Sequence, residues 1–212
     1  MQVLKIIFIV LEVVLLFNLL IFVHELGHFL AAKRLGIPVG APIFIPFMGA
    51  YITMKENPRD AWTEAWMAYC GPLAGGIGCW VCWGLALAFD QPWLMAVASA
   101  SFVMNLFNLI PVPPLDGGRI CAAVSPWFWF VGLFLLGCSL FYFHSWASIW
   151  IVVLVLFFAV PRLKETFLRG GTPEMTAYYA TQPGRRVTMA VLYVGLIAVL
   201  LLGYWDSSLR LG

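Results

Sequence analysis

From position 65 to position 89 the chain carries no charged residue, and this run is long enough to cross a hydrocarbon layer as one helix. A helix satisfies its backbone polar groups internally, which makes it the natural fold for such a run inside a bilayer. Similar runs recur along the sequence. Of the 212 residues, 63% are hydrophobic and 10% charged, with mean hydropathy +0.94; soluble domains carry roughly 25% charged residues. The composition therefore indicates an integral membrane protein. A net charge of +2 without a basic block gives no footing for a nucleic-acid partner.

The spans are expected at residues 6–23, 65–89, 92–110, two within 120–161 divided at His144-Ser145, and 187–204. The first helix is expected to continue through HELGH to Ala32. No small-residue cleavage site precedes HELGH, so the first run is expected to remain in the protein. Five cysteines do not form a disulfide pattern, and Cys79-x-x-Cys82 lies in an apolar run with no second pair, where helix packing is the expected role.

Basic residues mark the cytoplasmic side of a membrane protein. With the N-terminus outside, Lys33, Arg34, Lys55, Arg59, Arg119, Arg162, Lys164, Arg169, Arg185 and Arg186 fall inside, and only Lys5 and Arg210 fall outside. This bias predicts both termini outside and HELGH near the cytoplasmic face of a multi-pass cell-membrane protein. Residues 36–64 are rich in Pro, Gly and β-formers and predict short membrane-associated strands, centred on 43–54. A short helix is expected to start near Thr172, with Tyr178 and Tyr179 as interfacial anchors.

Ionisable groups at the end of an apolar span are costly and usually functional. On a helix, His24 and His28 project from one face, four residues apart. Two imidazoles at that spacing suit one zinc ion, and Glu25 is then placed to take a proton from an attacking water and return it to the leaving amine. Catalytic zinc has three protein ligands and an open position. His144 is expected on the opposite membrane face, and Glu12 lies more than three turns from Glu25; it is expected to snorkel to the outer interface. Asp116, in NLIPVPPLDGGR, is expected at the depth of HELGH, with two glycines that let the backbone approach the metal closely.

HELGH, GPLAG at 71–75 and NLIPVPPLDGG at 108–118 together resemble the site-2 protease family of intramembrane zinc metalloproteases. The resemblance covers roughly the first 120 residues. It implies one zinc ion held by His24, His28 and Asp116, with Glu25 as general base. It also implies that Asn108 helps hold the substrate or its developing oxyanion. Gly71 and Gly75 match the family's GxxxN/S/G pattern, for which helix packing is the expected role. The family's strands after the first span imply that 43–54 pairs with an unwound substrate. No stretch suits a PDZ or CBS module, so regulation of that kind is expected to come from a partner protein or to be absent.

The expectation is thus an all-α polytopic membrane protein of about six transmembrane helices with a small membrane-associated β segment after the first. Residues 1–212 form one metalloprotease domain, with core spans in 1–120 and accessory spans in 121–212. The expected function is an intramembrane zinc endopeptidase acting on a membrane-spanning protein in the lipid bilayer. A transporter or metal-permeation protein is the alternative from another class, but no second broken helix or string of intramembrane carboxylates accompanies Glu12 and Asn18. A catalytically inactive relative is the other, and an intact Glu25 argues against it.

Overall fold

The computed structural model describes residues 2–40, 43–45, 49–51, 57–143, 145–168 and 171–212. Eight helices and two strands are found among them: α1 Gln2–Arg34, β1 Ile43–Ile45, β2 Gly49–Tyr51, α2 Ala61–Phe89, α3 Pro92–Asn108, α4 Asp116–Val124, α5 Phe128–Phe143, α6 Trp146–Leu168, α7 Pro173–Tyr178 and α8 Pro183–Leu211. Three of the helices, α1, α2 and α8, are long and apolar enough to cross a membrane. Large apolar side chains stand exposed along α1 and α8, among them Phe8, Leu15, Val191 and Leu202, as lipid-facing helices require. The chain is a membrane protein on this evidence.

The six expected spans meet a finer structure. Residues 92–110 form a helix that stops at Asn108; within 120–161, α5 ends and α6 begins at the expected division, while residues 120–124 belong to the separate α4. Ser125, Pro126 and Trp127 separate α4 from α5, where a proline suits the start of a new helix rather than the continuation of an old one. His144, Lys55 and Arg169, all used in the topology argument, lie outside the described residues.

The chain divides into two compact units. The first comprises Met1–Asn57, Cys70–Leu106 and Gly195–Gly212. Here α1 runs for 33 residues and ends at Gly36, whose φ of +73° suits a residue without Cβ. Ile37 N donates to Ala32 O at 3.0 Å and Gly36 N to Lys33 O at 3.2 Å, the paired bonds of a Schellman stop. Beyond it, β1 and β2 pair antiparallel, Phe44 opposite Ala50, and β2 contacts α1. Phe102 of α3 fills the space left by Gly203 of α8, and Leu200 packs against Gly76 of α2.

The second unit comprises Pro58–Tyr69 and Phe107–Val194. Its apolar core gathers Val112, Leu136, Val155 and Ala159. Gly117 and Gly118 lack the side chains that would collide with the backbone of Leu109 and Val112, so the first turn of α4 packs directly on that strand of chain. Trp129, 1% exposed, donates its indole N–H to Gly118 O at 2.8 Å, and Tyr193 donates its hydroxyl to Leu109 O. Thr172 caps α7 through Met175 N, which places a short helix where the sequence predicts one.

Candidate metal centre

HELGH occupies the last turns of α1. His24 is 3% exposed, and His28 and Glu25 are half-buried. The ligand atoms of the three residues lie within 4.8 Å of one another. The four-residue spacing of the histidines brings His24 Nε2 and His28 Nε2 to 3.2 Å. Two nitrogens bound to one tetrahedral zinc at 2.0–2.1 Å stand about 3.3 Å apart. The imidazole pair therefore has the separation of one edge of a zinc tetrahedron, and these residues fit the ion.

Small residues make this arrangement possible. A Cβ on Gly27, the glycine inside HELGH, would collide with Cys70 O and Ala74 on α2, so α1 and α2 approach closely at that level. A Cβ on Gly71 would collide with the His28 imidazole, and one on Gly75 with the Asn105 carboxamide oxygen. The GPLAG glycines pack helices, as small residues do in membranes. Here the space they leave is filled by side chains of the candidate centre rather than by backbone alone.

Asn105 of α3 is fully buried and was not among the residues singled out from the sequence. Its Oδ1 is 2.9 Å from His24 Nδ1, while its Nδ2 donates to Ser101 O at 2.9 Å and to Cys79 Sγ at 3.4 Å. The available signal was an asparagine inside an apolar span, three residues before Asn108 on the same helix.

Asp116 and Asn108 belong to the second unit. Asp116 opens α4, is 7% exposed, and has Arg119 Nη1 at 3.9 Å from its carboxylate. A carboxylate in the first turn is favoured by the positive end of the helix dipole. Asn108 is half-buried as the last residue of α3. The two glycines after Asp116 were expected to let the backbone approach the metal; what they approach is the backbone of residues 109–113.

Also in the second unit, Arg162 donates to Glu64 Oε2 at 2.9 Å, and the Tyr178 hydroxyl donates to the same oxygen. Burial pushes the Tyr178 phenol up and the neighbouring Glu64 charge adds to this, so the hydroxyl stays a donor. Tyr179 shares a hydrogen bond with Thr166 at 2.9 Å. Both tyrosines tie α7 into this unit, a use beyond the interfacial anchoring expected of them. A cavity of about 210 Å³ lies between Glu64, Pro114, Arg119 and Arg162. On the surface of α1, Glu12 is exposed.

His24, Glu25 and His28 form the HExxH pattern of a metalloprotease zinc site. Residues 12–91 match the model of Peptidase family M50. It is similar to a zinc metalloprotease of Methanocaldococcus jannaschii, 32% identical over 106 residues, which are 48% of this chain and 30% of that protein. A Synechocystis sp. protein with a provisional zinc metalloprotease name is 29% identical over 109 residues, 48% of this chain and 28% of its own length. The chain thus matches less than a third of the length of either relative. The family and both names imply zinc.

Proposed function

We propose that the protein is an intramembrane zinc endopeptidase that hydrolyses a peptide bond in or near a transmembrane segment of a membrane-protein substrate. The observation that carries this reading is the convergence of His24, Glu25 and His28 within 4.8 Å at the end of an apolar helix. His24, His28 and Asp116 hold one zinc ion, and Asn108 helps hold the substrate. When bound, zinc supplies the Lewis acidity that brings the pKa of water to about 7. Glu25 accepts the proton of the attacking water and delivers it to the departing amine. The β1–β2 pair, next to α1, offers an edge along which an unwound substrate can lie extended.

The centre is placed toward the cytoplasmic face, with both termini outside and six crossings in all. Support comes from the ten-to-two distribution of basic residues under that topology.

Glu25→Gln tests the chemistry. The substitution removes the proton acceptor without removing an imidazole, so cleavage of membrane-protein substrates is expected to fall by about 10²- to 10⁴-fold while bound zinc is retained. Metal content and cleavage are read on one purified sample. Near-normal cleavage by the variant would exclude the mechanism.

A further inference from the structure

We propose that Asn105 is the positioning residue that fixes the tautomer of His24 and aims its Nε2 at the metal. The inference rests on the reading of His24 as a ligand and adds a residue to it. Asn105 Nδ2 faces Ser101 O, a carbonyl that can only accept. Turning the amide over would set two acceptors against each other, so the network leaves Oδ1 toward His24. Oδ1 in turn can only accept, so the partner atom, His24 Nδ1, must carry the proton. A neutral imidazole protonated at Nδ1 has its lone pair on Nε2, which is the nitrogen 3.2 Å from His28 Nε2.

The asparagine is itself held in place. Gly75 has no side chain to displace its carboxamide, Cys79 Sγ receives a second N–H contact, and the residue is wholly buried. An orienting acceptor behind a metal-bound histidine is worth about 10- to 100-fold in metal affinity. In most such sites the acceptor is a carboxylate, carbonyl or water; here an amide does this while adding no charge inside an apolar span.

The test begins with the full chain free of metal. Ring ¹⁵N spectra contain three histidines, and His144→Ala and His28→Ala assign His24 by elimination. His24 is expected to be protonated at Nδ1 with a bare Nε2. A bare Nδ1 in the wild-type protein would overturn the proposal whatever the variants do. Zinc affinity is then measured by chelator competition, without substrate. Asn105→Leu loses the acceptor and is expected to bind zinc about 10- to 100-fold more weakly. Asn105→Asp keeps the acceptor but loses both N–H donors, and is expected to match or exceed wild-type affinity. A purely structural asparagine would make both variants equally poor, and that result, or wild-type affinity in Asn105→Leu, would refute the assignment. None of these readings depends on proteolysis, so a chain that cleaves nothing still decides the question.

Discussion

Asp116 is a carboxylate with 7% exposure at the start of α4, with Arg119 Nη1 at 3.9 Å. Asp116→Ala is expected to weaken zinc retention and eliminate proteolysis, because a two-histidine site lacks the third protein ligand of catalytic zinc. His144→Ala is expected to change neither, since the orientation argument sets it across about 30 Å of hydrocarbon, against a metal bond near 2 Å. Metal content after matched dialysis compares the two, and the reverse pattern would overturn the assignment. At this scale the histidine pair was readable from sequence because helical spacing alone sets the distance between His24 and His28. Asn105 was not, because its partner is 81 positions away and only the packing of α1 on α3 brings them to 2.9 Å.

Among the elements, the β1–β2 pair is short, three residues in each strand. The role proposed for it in holding extended substrate predicts a specific imbalance. Ala50→Pro removes a backbone donor from β2 and is poorly tolerated in a ladder. Cleavage is expected to fall more than zinc content, measured on the same preparation. Equal losses would indicate misfolding, and no loss would remove the strands from substrate binding. The helices were legible at some ends: α1 runs through HELGH to Arg34, two residues past the expected Ala32, and α7 begins beside its capping threonine. They were less legible across residues 120–161. A hydropathy window averages over many residues, and the three-residue break at Ser125 to Trp127 is too short to stand out between apolar flanks.

For the whole molecule, charge asymmetry makes the topology testable. Reporters fused after Arg169 are expected on the cytoplasmic side and reporters after Gly212 on the other, because basic residues resist translocation. Both on one side would overturn the six-crossing proposal and the depth assigned to the centre. That depth is tied to the length of α1. From Ile6 to Val23 the helix advances roughly 26 Å, slightly less than the ~30 Å thickness of a typical hydrocarbon core. In the proposed topology His24 follows at once, so the first imidazole is expected close to the boundary between oil and water. A membrane of short acyl chains would then leave the histidines wetted, and a thick one would submerge them. Hydrolysis consumes water, so the proposed peptidase is expected to respond to the acyl-chain length of the surrounding lipid.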